Sequence, residues 1–422
     1  MGVQWKHWKT RGVALLACPP HTERKGLLLK KNMAQRTAVG IDIGTYQVRC
    51  VVARESADGR GGIPKVVGTG YAESKGLRHG YITNVPDAAR AVREAVQQAE
   101  ETAGVKIRSA FLAIGGIGLD EIRSRGETVI ARADAEVTDL DVERAQDASE
   151  ESVKGRLMNR RILHTIPVNY TIDGTEVLGR PQGMKGSKLT VETLFVTCIE
   201  QHVQDLIEAV ESADISVGDV MASPLAGSIV TVTNAEKRAG CVLANIGSET
   251  VSIVVFENGS PISLKVFKIG SMKITEDIAL GLRIPLEEAE QLKLGAIIGS
   301  TFPKKKFDDI LSARLTDIFE LIDTHLKKLG KDQLLPAGII LSGGGAGIGP
   351  IKAVAESALK LPSKTISLNN AQAGKIKDSS WAVAYGLTIW GLTGESAETS
   401  AMKNVFRKLG ATIQNFFKQF LP

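Results

Sequence analysis

The stretch AGCVLANIGSETVSIVVFENG, residues 239–259, has the pattern of a strand, a short glycine turn and a second strand. Apolar residues run up to Ile246, a polar turn follows, and apolar residues resume in alternation from Val251. A related pattern, AVGIDIGTYQVRCVVA, occurs earlier at residues 38–53. This internal duplication predicts an α/β protein built from two related halves.

The first copy places Asp42, Gly44 and Thr45 in one turn, within DIGTYQV. Backbone amides of such a turn can face phosphates, the carboxylate can hold a hydrated Mg²⁺, and the hydroxyl adds a further contact. An ordinary turn is the alternative, because Asp and Gly are common in turns of many kinds. The second copy, NIGSET at residues 245–250, favours the phosphate interpretation, since two facing hairpins can clamp a triphosphate.

A glycine-rich segment, LSGGGAGIG at residues 341–349, follows a predicted strand and precedes a predicted helix. It fits neither the dinucleotide fingerprint nor a P-loop, because the residues that those motifs require are absent. Three bare glycines, Gly343, Gly344 and Gly345, would let an adenosine lie flat on the backbone. A tight entry into the following helix is the alternative.

Glu290 and Lys293 lie three residues apart in EEAEQLK and so share one helix face. They could reach the ribose and the purine of a bound nucleotide, or they could form a solvated surface pair. Elsewhere the histidines are isolated, and no Ser-His-Asp or Cys-His arrangement is suggested. Catalytic residues therefore stay unassigned.

The net charge of +5 is unevenly distributed. Residues 1–32 carry seven Lys or Arg against one acid, Glu23, which leaves the rest of the chain close to neutral at about −1. The positive net charge, which was the main argument for a nucleic-acid partner, therefore does not belong to the predicted folded part of the chain. The four cysteines are far apart, which suggests neither a zinc site nor a disulfide framework and fits a reducing cytoplasm.

The order of predicted elements divides the chain into segments. We expect residues 1–32 to be a disordered leader, or to result from a start assigned at Met1 in place of Met33; a basic tail with a function is the alternative. The first half covers 33–117 together with 198–238 and about 376–392, and an α+β subdomain is inserted in it at 118–197. The second half covers 239–270 and 331–375, with a helical subdomain at 271–330. A small, polar linker follows at 393–402.

The last segment, KNVFRKLGATIQNFFKQFLP at residues 403–422, predicts an amphipathic helix. Its apolar half contains Val405, Phe406, Leu409, Ile413, Phe416, Phe417, Phe420 and Leu421, and its polar half contains Arg407, Lys408 and Lys418. It has no acid and three bulky Phe residues near its end, a pattern typical of a helix that lies in the interface of an anionic membrane. A helix that fills a partner's groove or packs on the core is the alternative.

From about Met33 to Pro422 the order of these parts resembles the FtsA family of bacterial cell-division proteins. GIDIGT resembles the first phosphate motif, NIGSETVSIVVF the second, GIILSGGGAGI the adenosine motif, and WAVAYGLTIWG the closing connecting helix. The resemblance implies an actin-like (ribonuclease H-like, duplicated) fold with two lobes around a nucleotide cleft. It further implies ATP with Mg²⁺, actin-like polymers, FtsZ and other division proteins as partners, and a place on the cytoplasmic face of the membrane at the division site.

The resemblance also assigns site residues. The first phosphate loop would use Asp42, Gly44, Thr45 and Gln47, with Asp42 at the metal; the second would use Asn245, Gly247, Ser248, Glu249 and Thr250; Glu290 and Lys293 would lie near the nucleoside, and Gly343, Gly344 and Gly345 under the adenine. The FtsZ contact would lie in the helical region 271–330.

The second phosphate motif departs from the family pattern, which usually reads Asp-Ile-Gly-Gly-Gly-Thr. Asn245 replaces the acid, and Ser248 and Glu249 replace two glycines. An amide cannot accept a proton or neutralise Mg²⁺, so we expect ATP to bind but to be hydrolysed slowly or not at all. Two other interpretations are a PilM-like component of type IV pilus assembly and a kinase of the sugar-kinase branch, for which the sequence provides no catalytic Asp.

Overall fold

The computed structural model describes residues 36–56, 64–296, 302–368, 376 and 378–398, which belong to one compact unit. The predicted leader at 1–32 and the predicted amphipathic helix at 403–422 lie outside the described residues. Within the described part of the chain, no helix combines the length and apolarity needed to cross a membrane.

The strands are β1 (Thr37–Ile43), β2 (Gln47–Arg54), β3 (Lys65–Glu73), β4 (Leu77–Arg78), β5 (Tyr81–Ile82), β6 (Ser109–Ile114), β7 (Leu119–Val129), β8 (Arg160–Ile172), β9 (Thr175–Val177), β10 (Lys188–Ile199), β11 (Ser216–Ala222), β12 (Cys241–Ile246), β13 (Val251–Glu257), β14 (Ser260–Phe267), β15 (Ile339–Ser342) and β16 (Ser363–Thr365). The helices are α1 (Val85–Ala103), α2 (Asp139–Val153), α3 (Glu200–Glu211), α4 (Ser223–Thr231), α5 (Asn234–Ala239), α6 (Ser271–Leu282), α7 (Leu286–Lys293), α8 (Lys304–Lys328), α9 (Ile351–Leu359) and α10 (Ala382–Glu398).

Two five-stranded sheets have the same topology. The first has the order β3-β2-β1-β6-β11 and the second the order β14-β13-β12-β15-β16. In each, three antiparallel strands are followed by two parallel ones, and the central hairpin is one of the predicted copies. The predicted duplication into two α/β lobes is therefore confirmed.

The first lobe is held together by close backbone contacts between its helices and its sheet. Asn84 caps α1, which lies against β3 so closely that a Cβ at Gly70 would come 1.9 Å from the carbonyl oxygen of Ala95. On the other side α10 packs against β1 and α4, where a Cβ at Gly40 would lie 2.2 Å from the Ala384 carbonyl oxygen. These contacts fix the start of α10 beside the turn that follows β1.

The inserted subdomain is a four-stranded antiparallel sheet, β7-β10-β8-β9, covered on one face by α2. It is joined in sequence to the first lobe but also contacts the second. Ser263 Oγ of β14 donates a hydrogen bond to Glu121 Oε1 of β7 (2.8 Å) and lies 2.8 Å from Nε2 of His325 in α8. Burial raises the pKa of Glu121 and lowers that of His325 to about 4.

The helix α10 continues to Glu398, so its last residues overlap the segment that was predicted as a linker at 393–402. The prediction relied on small and polar residues, but the segment lacks proline and contains Ala and Glu, which support a helix. Thr393 Oγ1 also donates to the carbonyl oxygens of Ile389 and Trp390, within the helix.

Candidate functional site

A cleft of about 680 Å³ lies between the two sheets. Thirteen of the fourteen residues predicted to bind a nucleotide line it: Asp42, Gly44, Thr45, Gln47, Asn245, Gly247, Ser248, Thr250, Glu290, Lys293, Gly343, Gly344 and Gly345. Glu249 is the exception, and its side chain contacts the first lobe instead. The cleft volume is within the range of small-molecule sites.

The two hairpin turns have the same internal hydrogen bond. In the first, Gly44 N donates to the Gln47 carbonyl (3.2 Å); in the second, Gly247 N donates to the Thr250 carbonyl (2.9 Å). A Ser74 hydroxyl fixes the first turn by donating to the Gly44 carbonyl (2.5 Å). Backbone groups of both turns thus line the cleft from opposite lobes.

Asp42 is the last polar residue of β1 and lies half-buried on the wall of the cleft. Burial raises the pKa of its carboxyl group to about 6, and the positive charge of Arg49 acts in the opposite direction. The described residues contain no cluster of three His, Cys, Asp or Glu that could hold a metal. A single carboxylate fits Mg²⁺, which keeps several waters and takes other ligands from phosphates, better than zinc.

Arg49 is a cleft residue that the sequence analysis missed. It is the cross-strand partner of Asp42, its Nη2 donates to Gln47 Oε1 (3.0 Å), and its guanidinium lies 5.7 Å from the ring centre of Trp381. Its Nε has no hydrogen-bond partner among the described residues. The hairpin register, which pairs residues at equal distances from the turn, is the sequence signal that would have identified it.

The second turn is attached to the start of α6. Ser271 N donates to the Gly247 carbonyl (2.9 Å), and Met272 N donates to the Ser248 carbonyl (2.8 Å). A Cβ at Gly270 would lie 2.3 Å from the Ser248 carbonyl oxygen, so this approach requires glycine. The helix therefore fixes the shape of the turn.

The glycine segment after β15 packs against the second hairpin. Gly343 has φ of 86°, and a Cβ there would lie 2.3 Å from Asn245 Oδ1 and 2.6 Å from the Ile246 carbonyl oxygen. At Gly344 a Cβ would meet nothing within 4 Å. Gly343 is thus needed for the fold, whereas Gly344 leaves bare backbone open to the cleft.

The Glu290–Lys293 pair is not a solvated surface pair. Lys293 is 7% exposed, and its Nζ donates to Glu290 Oε2 (2.7 Å), to Thr275 Oγ1 (2.8 Å) and to the Ser271 carbonyl (3.2 Å). Burial lowers the pKa of Lys293, and the hydrogen bond to Glu290 opposes that shift. The pair joins α7 to α6 at the edge of the cleft.

The start of the connecting helix α10 also lines the cleft and was missed in the sequence. Asp378 Oδ1 accepts a hydrogen bond from Ser380 N (2.7 Å), which caps a short 3₁₀ turn leading into α10. Asp378, Ser379 and Ser380 all face the cleft. The Asp-Ser-Ser sequence before an apolar helix is a capping signal that could have indicated this position.

Two protein-family models each match one segment of the chain. A family described as "Cell division protein FtsA" matches residues 242–386, and one described as "SHS2 domain inserted in FTSA" matches residues 119–197. The cell division protein FtsA of Neisseria meningitidis is 31% identical over 353 residues, which cover 78% of this chain and 84% of that protein. FtsA of Pseudomonas aeruginosa is 29% identical over 382 residues, which cover 85% of this chain and 90% of that protein.

Solved structures share the fold. A chain of the PilM-PilN type IV pilus biogenesis complex superposes with a TM-score of 0.63 at 16% identity, covering 84% of this chain and 98% of that chain. The ethanolamine utilization protein EutJ from Carboxydothermus hydrogenoformans gives 0.51 at 15% identity, covering 84% and 90%. The expected actin-like fold is confirmed.

Proposed function

The chain belongs to the FtsA family of bacterial cell-division proteins, and from this membership we propose that it binds ATP between its lobes and tethers FtsZ filaments to the cytoplasmic membrane. The observation that carries the proposal is the cleft, in which two equivalent turns, a bare glycine segment and a buried Lys–Glu pair face one space. Actin-like polymers and other division proteins complete the proposed assembly.

In this proposal the two turns hold the phosphates through backbone amides, and Asp42 holds Mg²⁺. Arg49 adds a positive charge on the same wall. The adenine lies on Gly344, and Glu290 with Lys293 faces the nucleoside. Magnesium would neutralise phosphate charge, and the protein's part is to place the nucleotide against both lobes.

We expect hydrolysis to be weak or absent. The described residues that line the cleft include three carboxylates, Asp42, Glu290 and Asp378. Glu290 is bound to Lys293, and Asp378 caps the turn before α10. With Asn245 in place of the family's acid and Glu249 bound to His79, the described residues place no free carboxylate as a general base beside the second turn. The nucleotide would then act as a clamp that favours the closed form.

The proposed FtsZ contact lies in the helical subdomain 271–330. A hollow of about 230 Å³ between the end of α6 and the start of α8 is lined by Arg283 and Lys306 together with Leu282, Ile284 and Phe302. Two cations around an apolar floor fit a segment that carries both acidic and apolar side chains. We place an FtsZ segment of that chemistry here.

Membrane attachment is proposed for residues 403–422, on the strength of the sequence pattern alone. Its four cationic residues and its apolar half would bind an anionic lipid surface without crossing it.

Co-sedimentation with anionic liposomes in the presence of Mg²⁺ and ATP tests the proposal. FtsZ from the same cell should pellet with the full chain and stay in solution with a chain that ends before Lys403. If the full chain binds lipid but leaves FtsZ in solution, the PilM-like function is favoured; if it does not bind lipid, the tether is wrong.

A further inference from the structure

The side chain of Glu249 does not line the cleft but contacts the opposite lobe. Its Oε2 accepts a hydrogen bond from the backbone N–H of His79, 170 residues earlier in the chain. The His79 Nδ1 atom lies 3.7 Å from the same oxygen. The side chains are 28% and 19% exposed, so the contact is shielded from much of the solvent.

The loop that contains His79 forms part of the first lobe's cleft wall. His79 lies between β4 and β5 with φ of 51°, and its carbonyl accepts from Ile117 N (3.2 Å). Gly80 lies so close to Gly116 that a Cβ at Gly80 would come 2.3 Å from the Gly116 Cα. Gly80, Gly115 and Gly116 line the cleft. His79 is therefore attached to this glycine wall through its own carbonyl and through its neighbour Gly80.

The other end of the contact is equally well anchored. Glu249 belongs to the second turn, where Gly247 N bonds the Thr250 carbonyl and Met272 N bonds the Ser248 carbonyl. Backbone hydrogen bonds therefore hold the turn on both sides of Glu249. A hydrogen bond from this position to the first lobe joins the two walls of the cleft directly.

We propose that Glu249 is a positioning residue that latches the two lobes together beside the phosphates, and that it is not a ligand of the metal. The proposal rests on the proposed binding of ATP in this cleft. The bond between Glu249 and His79 exists only when the lobes are close, so it raises the population of the closed form before the nucleotide arrives. Apparent affinity scales with that population.

Three variants of the full chain separate this role from others. Glu249→Ala removes the acceptor, Glu249→Gln keeps a side-chain oxygen without the charge, and His79→Gly removes the imidazole but keeps the N–H at a position whose φ suits glycine. Affinity for Mg²⁺ with ATP, affinity for adenosine, and hydrogen exchange of the 77–82 segment are measured for each.

We expect Glu249→Ala to weaken ATP binding about tenfold, the usual scale for a lost charge-assisted hydrogen bond. Adenosine binding should change less than twofold, because the residues proposed to hold it, Gly344, Glu290 and Lys293, all belong to the second lobe and do not need the closed form. Exchange at His79 should accelerate. Glu249→Gln and His79→Gly should both stay within about threefold of the unmodified chain, since each keeps the bond to the N–H.

Unchanged ATP affinity and unchanged exchange in Glu249→Ala would overturn the latch. If Glu249→Gln lost as much affinity as Glu249→Ala, the charge would be what matters, and a metal or phosphate role would replace the latch. If the unmodified chain bound no ATP, the proposed function would fail, and exchange at His79 in the empty protein would still decide whether the latch exists.

Discussion

The negative charge of Asp42 lowers the stability of the protein without ligand, but the proposed Mg²⁺ site requires that charge. Its pKa is about 6 in the folded chain against an ordinary 3.8, so the ionised form is disfavoured by folding. The stability that the protonated carboxyl provides is complete below pH 3.8 and is lost as the pH rises through 6. Asp42→Asn should therefore stabilise the empty protein at pH 8 by about 1 to 2 kcal/mol, less than the full shift implies because the group is partly exposed.

Urea unfolding at pH 8 and at pH 4 checks this prediction, and the stabilisation should nearly vanish at the lower pH. The same variant should lose binding of ATP that depends on Mg²⁺. A variant that is less stable at pH 8, or that gains equally at both pH values, would contradict the account of Asp42.

Glu290 is expected to support both the fold and the nucleoside site. Removing it in Glu290→Ala deprives the buried Lys293 of its charged partner and should cost about 2 kcal/mol of unfolding free energy. Glu276→Ala is the matched control, because Glu276 also forms an i,i+3 pair, with Lys273 three residues before it, but both side chains are largely exposed. It should cost less than about 1 kcal/mol. Equal costs in urea unfolding would show that the buried pair has no special role.

Residues that bind through local motifs were predictable from the sequence, whereas residues brought in from a distance were not. Asp42 and Gly247 were found because the turn that holds them is a short pattern. Arg49 was missed because its place in the cleft depends on strand register, and Asp378 because it depends on how α10 packs between β1 and α4. Glu249 was expected to line the cleft, but its side chain contacts the opposite lobe. No local pattern indicates this contact, because its partner His79 is 170 residues away in the sequence.

At the scale of elements, the glycine segment after β15 offers a matched pair of substitutions. Gly343→Ala places a Cβ 2.3 Å from Asn245 Oδ1 at a positive φ and should cost about 3 kcal/mol or more. Gly344→Ala meets nothing within 4 Å and should change stability by less than about 1 kcal/mol while weakening ATP binding, because its methyl group faces the cleft. Thermal unfolding together with ATP titration distinguishes the two variants. If the Gly344→Ala chain bound ATP normally, the adenine would not lie on this segment.

Helices and strands were largely predictable, but their ends and their mutual contacts were not. Capping by Asn84 and the apolar spacing of α1 define that helix locally. The end of α10 was placed too early, because polar composition alone does not stop a helix. The contact of Glu121, Ser263 and His325 joins three separate elements, so no local pattern indicates it.

The molecule as a whole consists of two equivalent lobes that meet at one cleft. The duplication extends to the single hydrogen bond inside each turn. A ligand that contacts both lobes should therefore stabilise the folded protein. Mg²⁺ with ATP at 100 times its Kd should raise the free energy of unfolding by about 2.7 kcal/mol, measured by thermal unfolding, and Asp42→Asn should show much less of this gain. An equal gain in both proteins would place the nucleotide elsewhere.

The amount and identity of the nucleotide held by the full chain decide whether the protein binds ATP in this cleft and keeps it intact. The chain is dialysed to equilibrium against labelled ATP with Mg²⁺, and the bound nucleotide is then recovered and identified. We predict one nucleotide per chain, recovered mainly as ATP after many minutes, and little bound nucleotide in Asp42→Asn. Absence of bound nucleotide, or its rapid and repeated conversion to ADP by a chain whose turnover is lost in Asn245→Ala, would contradict the account.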